Sequence, residues 1–190
     1  MAETLSDQVL QKLGPAAELY YRLIVVVGPA AAGKTAALQD VSVRIHTPLI
    51  NVNLELSRRM LELTERQRAL QVPRLLDELA LQAGGETILL DNLEILFEVA
   101  LKQDPLRLLQ GLSRNRTVVA GWNGSIETVS PGVKWDLLNT PQGRQPGMAT
   151  IKGYLTYAVP GHPEYRKYPV RDFLVVASPG LLGEKDHAVR

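Results

Sequence analysis

The stretch from Tyr21 to Thr35 constrains this chain more than any other. Apart from Arg22, Tyr21 to Val27 is apolar and rich in β-branched residues, with no polar alternation. That pattern predicts a strand buried on both faces, in the middle of a parallel sheet. It breaks at Gly28, and Gly28-Pro29-Ala30-Ala31-Ala32-Gly33-Lys34-Thr35 then satisfies the spacing G-x-x-x-x-G-K-[ST] in full. Successive backbone N–H groups wrap a dense anion only where side chains stay out of the way, which the glycines and alanines ensure. A helix expected from Lys34 to about Arg44 points its positive end at the same anion. Residues Gly28 to Thr35, with Ala36, are therefore the candidate nucleotide-binding set. Lys34 suits the β/γ-phosphate oxygens, and the Thr35 hydroxyl suits magnesium. The expected ligand is ATP with Mg2+, although the motif itself reads phosphates and leaves the base open.

The rest of the chain supplies the alternation that such a loop requires. Leu5, Val9, Leu10 and Leu13 recur at helical spacing, predicting a short helix that ends at Gly14-Pro15. Strands are expected at Leu49–Leu54, Thr87–Leu90, Thr117–Trp122 and Asp172–Ser178. Helix is expected from Arg58 to Ala83, kinked or broken at Pro73, and from Leu93 to Leu112, with Pro105 opening a new helix after Asp104. Residues 123–171 carry a poor helix signal, and Tyr154–Val159 is a candidate extra strand. Strands alternating with helices predict an α/β fold, a three-layer P-loop core with a mainly parallel five-stranded sheet. The expected organisation is a single P-loop domain over 1–190, with an N-terminal helix in 1–14, a core in 20–122 and 172–178, and an irregular insertion in 123–171.

A second acidic element fits the first. Ile88-Leu89-Leu90-Asp91 is an apolar strand ending in a carboxylate, which suits a Walker B aspartate holding magnesium beside Thr35. Capping the next helix is the plainer role for such an Asp. Hydrolysis also needs a group that orients and deprotonates water. Asn92 stands directly after Asp91, where many ATPases of the additional-strand class have Glu, so Glu94 becomes the candidate base and Glu55 its rival at the end of the second strand. Asn123, closing the fourth strand, is a candidate sensor of the γ-phosphate or the lytic water; a simple Asn-Gly turn is the alternative. Arg114 and Arg116 are candidate arginine fingers, with Arg144, Arg166 and Arg171 competing.

Composition narrows the partners. The chain has 190 residues, no cysteine and a net charge of +1. Disulfides and cysteine-ligated zinc are excluded, and global charge makes no case for nucleic acid or anionic membrane. Lys134, Trp135, Lys152, Tyr154, Tyr157, Arg166, Lys167 and Tyr168 nevertheless place cations and aromatics in one region, a candidate DNA contact. Tyrosines packed on the sheet edge beside solvated cations are the competing reading. The N-terminus lacks the basic start and apolar block of a signal peptide, and no apolar run is long enough for a membrane span. A cytoplasmic protein with no membrane contact is expected.

Two distinctive stretches are Leu89-Leu90-Asp91-Asn92-Leu93-Glu94-Ile95-Leu96-Phe97 and the run from Leu101 to Arg116; Val118–Gly124 and Pro160–Tyr165 add to them. On these the chain resembles BrxF, the family of small P-loop proteins of type 3 BREX phage-defence systems. The resemblance implies a bacterial cytosolic protein that works with larger BREX components to restrict phage DNA; assembly with copies of itself is a separate expectation. The core also looks like a reduced AAA+ module, expected to lack the C-terminal helical lid and its second sensor arginine. Three functions compete: a Mg-dependent ATPase acting as an assembly switch, a nucleotide-gated adaptor with little or no hydrolysis, and a small-molecule kinase.

Overall fold

The computed structural model describes residues 3–128, 153–158, 165–170 and 172–178. Five strands form one parallel sheet: β1 (Leu23–Gly28), β2 (Leu49–Asn51), β3 (Thr87–Asp91), β4 (Thr117–Asn123) and β8 (Leu174–Ala177), in the order β2-β3-β4-β1-β8. The fold is the expected α/β class, and β4 is the additional strand between the P-loop strand and the Asp91 strand.

Alternation along β1 explains the layers. Leu23, Val25 and Val27 join one core with α3 (Val52–Arg59), α4 (Glu65–Ala83) and α5 (Pro105–Leu112). Ile24 and Val26 join the other, with α1 (Leu5–Ala17) and α2 (Lys34–Arg44). Because a strand turns successive side chains to opposite faces, a strand apolar at every position needs helices on both sides. Each such side chain, fully buried, contributes about 1.5–3 kcal/mol.

Several boundaries differ from expectation. β2 stops at Asn51, whose side chain accepts from Leu54 N at 3.0 Å and starts α3. Asn is a strong N-cap, so the predicted strand to Leu54 becomes a helix instead. The break in the next helical stretch falls before Glu65, where Thr64 and Gln67 make a capping box. Pro73 sits inside α4 without ending it. The carbonyl that loses its helical bond to a proline at position 73 is Ala69 O, and Gln103 Nε2 donates to it at 2.7 Å. Leu93–Leu112 is largely helical, as expected, but its first half takes the form of two 3₁₀ turns, Glu94–Phe97 and Val99–Leu101, ahead of α5, which opens at Pro105 on an Asp104 cap. α1 passes Pro15 and ends at Ala17.

The described part of 123–171 is a second, antiparallel sheet of β5 (Ser125–Thr128), β6 (Gly153–Ala158) and β7 (Tyr165–Pro169), in the order β5-β6-β7. It fastens to the parallel sheet through aromatics. Phe97 stacks on Tyr157 at 3.7 Å between centroids and meets Trp122 edge-on at 4.9 Å. Trp122, fully buried, donates from Nε1 to Thr156 O at 3.2 Å. Gly124 has to be glycine, since a Cβ there would collide with the Thr156 carbonyl. The expected lack of a C-terminal helical lid concerns residues 179–190, which lie outside the described residues.

Candidate functional site

The C-terminal ends of parallel strands are where open α/β sheets place their ligands. Here β1 runs out at Gly28, and the loop to α2 takes left-handed conformations at Ala31 (φ 62°) and Gly33 (φ 79°). Such reversals turn successive N–H groups toward one point, the geometry of an anion nest. Gly33 is the N-cap of α2 without a side-chain cap, so the amides of the first turn face the loop. Gly28 leaves no room for a side chain, because a Cβ would strike the Ser178 hydroxyl.

Lys34, only 6% exposed, folds its ammonium back onto the loop. It donates to Gly28 O at 2.9 Å and Pro29 O at 2.6 Å. Burial pushes its pKa below the ordinary lysine range, against the opposing pull of the Asp91 and Glu94 carboxylates. Thr35 Oγ1 donates to Asp91 Oδ2 at 2.6 Å. Alternation explains this pair: Ile88 and Leu90 face the α3–α5 core, leaving Leu89 and Asp91 on the α2 side. Two hard oxygen donors thus stand together beside a lysine ammonium, a donor set that fits magnesium carried by phosphates and water. Among the described residues no group of three or more His, Cys, Asp or Glu could hold a metal alone.

Glu94 and Asn123 also meet. Asn92 adopts φ 54° directly after Asp91, and the chain then turns into the 3₁₀ segment that begins at Glu94. β4 carries Asn123 opposite Gly28 in register. The Asn123 side-chain amide donates to Glu94 Oε1. Gly124 N donates to Gly28 O at 3.1 Å, tying the end of β4 to the first residue of the loop. The simple turn is thereby excluded as Asn123's sole role, since its side chain makes a contact across 29 residues of sequence.

Other candidates lie elsewhere. Glu55 is in the first turn of α3 rather than at a strand end, and it pairs with Arg58 at 3.4 Å. Arg114 and Arg116 precede β4, at the end of the sheet opposite the phosphate loop. Arg116 Nη1 donates to Ala80 O at 2.8 Å, and Arg114 lies 6.0 Å over the Tyr20 ring. The structure brings neither to the site. Arg144 and Arg171 fall outside the described residues, as do Lys134, Trp135 and Lys152. Tyr154 and Lys167 lie on β6 and β7, and Arg166 is half-buried on β7. Tyr157 and Tyr168 are buried in the aromatic cluster, and burial pushes both phenols up, so they pack as core rather than stand free to stack on bases.

One residue the sequence reading passed over is Gly121. A Cβ there would sit 2.6 Å from Asp91 Oδ1 and 3.2 Å from Leu38 Cδ1. A glycine inside an otherwise β-branched strand was the available signal, for such a glycine marks a close approach.

Neither a family model nor a curated protein matches the chain. Among solved structures it is similar to that of C. elegans PCH-2, at 19% identity and a TM-score of 0.40, over 73% of this chain and 41% of that one. The chain therefore spans less than half the length of that relative. No helix among the described residues is long and apolar enough to cross a membrane.

Proposed function

We propose that this protein binds a nucleoside triphosphate, ATP, with magnesium, and hydrolyses it as an assembly switch. The observation that carries the reading is the convergence of Lys34, Thr35 and Asp91 at the end of β1, under a loop with left-handed residues at Ala31 and Gly33. The loop amides and the α2 N-terminus would cradle the phosphates. Lys34 would exchange two backbone carbonyls for phosphate oxygens. Thr35 and Asp91 would hold magnesium, which neutralises phosphate charge when bound. Glu94 is the base candidate, positioned with Asn123 at the mouth of the same strands. The BREX resemblance supports a role with larger phage-defence components and with further copies of this chain in a bacterial cytoplasm. DNA is a candidate partner of the assembly.

A second reading, a nucleotide-gated adaptor that scarcely hydrolyses, is favoured by one observation: the Glu94 carboxylate is already engaged by Asn123, and no acid follows Asp91 directly. Magnesium-ATP binding and turnover on wild type and Lys34→Ala, with molecular mass by light scattering and with or without DNA, separate the two. Binding, turnover and a change of assembly, all lost in Lys34→Ala, support the switch. Binding without turnover supports the adaptor, and no binding by wild type ends both.

A further inference from the structure

Ser178 follows β8 directly and is completely buried. Its hydroxyl is the only buried side-chain polar atom among the described residues that lacks a hydrogen-bond partner. Such a group loses its water and gains nothing in return, so it calls for a reason. Its position is fixed by the sheet: Ser178 N donates to Val27 O at 2.9 Å, one step past the pairing of Val27 with Ala177. Ser178 therefore stands beside Gly28, where β1 becomes the phosphate loop. A Cβ built on Gly28 would collide with the Ser178 hydroxyl and lie 3.2 Å from the Ala32 methyl. The hydroxyl is thus pressed against the base of the loop.

The loop's carbonyls are meanwhile held by Lys34. Its ammonium occupies Gly28 O and Pro29 O. Gly28 O keeps a second donor in Gly124 N, whereas among the described residues Pro29 O has otherwise only Ala32 N, at 3.3 Å. If Lys34 turns to a triphosphate, as the proposed function requires, the carbonyl edge of the loop loses its strongest donor. The idle donor beside Gly28, the first residue of that edge, is Ser178.

We propose that Ser178 is a positioning residue of the phosphate loop, whose hydroxyl donates to the Gly28–Pro29 carbonyl edge once Lys34 has left it for a bound triphosphate. The inference rests on the nucleotide-binding reading and adds an exchange of donors to it. The hydroxyl is unpaired in the ligand-free protein and paired in the complex, so its removal acts in opposite directions on the two states.

The test uses the full chain, with Ser178→Ala and Ser178→Cys, the latter filling the space with a somewhat larger group that is only a weak donor. Thermal unfolding without ligand and calorimetric titration with magnesium-ATP are measured for each. The expected result is a ligand-free melting temperature for Ser178→Ala at or above wild type, together with roughly fivefold weaker ATP binding, the loss of one ordinary hydrogen bond. Ser178→Cys should weaken binding similarly although the space is filled. Wild-type affinity in both variants would overturn the exchange while leaving nucleotide binding intact. So would a lowered ligand-free melting temperature in Ser178→Ala, which would mean that the hydroxyl is already paired. Failure of wild type to bind ATP would instead remove the underlying reading.

Discussion

The two halves of the site are built differently. The phosphate half, Gly28 to Thr35, is one unbroken run of sequence, and its lysine bonds to carbonyls five and six residues back. The proposed water half, Glu94 and Asn123, is assembled at the ends of strands β3 and β4 from residues 29 apart. Asp91, at the end of β3, lies between them, accepting from Thr35 on one side and standing against Gly121 of β4 on the other. The contrast teaches where each kind of site gets its precision. A loop that binds with backbone amides carries its geometry locally, whereas a pair of side chains that meet across a sheet inherits its geometry from strand register.

The sharpest way to separate the halves is Glu94→Gln. If Glu94 activates water, turnover should fall by about 10²–10⁴-fold with ATP affinity unchanged, since a general base contributes that much. Steady-state hydrolysis beside equilibrium binding reads this directly, and an unchanged rate moves the protein to the adaptor reading. Lys34→Ala should join the halves instead. Losing a charge-assisted contact is expected to weaken ATP binding by about 100-fold, and turnover at low ATP should fall with it.

Gly121→Ala tests Asp91, the residue between the halves. With no room beside Asp91 Oδ1 and Leu38, the added methyl should push the carboxylate away from Thr35. About tenfold weaker magnesium-dependent ATP binding is expected, together with a loss of stability of about 1–3 kcal/mol from overpacking, visible in denaturant unfolding. Unchanged binding would place Asp91 outside the metal site.

The smallest expected effect is on pH. Burial lowers the Lys34 pKa, so the fold binds fewer protons at this site than the unfolded chain between that lowered value and 10.5. Stability contributed by this residue should therefore rise as pH climbs through that interval. Affinity for ATP should fall over the same interval, as the ammonium is lost. Lys34→Ala protein should show neither trend.

The phosphate half was legible because the motif's spacing is itself the structure. The strands were legible for a related reason: runs such as Leu23–Val27 are apolar at every position, which only a doubly covered strand explains. The limits of the reading lie where a long-range contact decides. Pro73 looked like a helix break, but Gln103 supplies the donor its ring removes. Glu55 looked like a strand-end acid until the Asn51 side chain began a helix four residues earlier. The tyrosines of 154–168 suited either stacking on bases or packing on the sheet, and two of them pack on Phe97 and Trp122. Gly121 and Ser178 escaped notice because each matters only through a neighbour brought by the sheet.

The strand order has a consequence for how the chain is made. β1 is complete within the first 28 residues, yet its two hydrogen-bonded neighbours come from residues 117–123 and 174–177. Pairings this distant in sequence are slow to form. On the ribosome β1 thus emerges well before the two strands that flank it, with both edges open until they follow. An unpaired Leu-Ile-Val-Val-Val segment is a ready template for wrong pairing. Its yield in a cell should depend on how well that one nascent segment is shielded until β4 and β8 arrive.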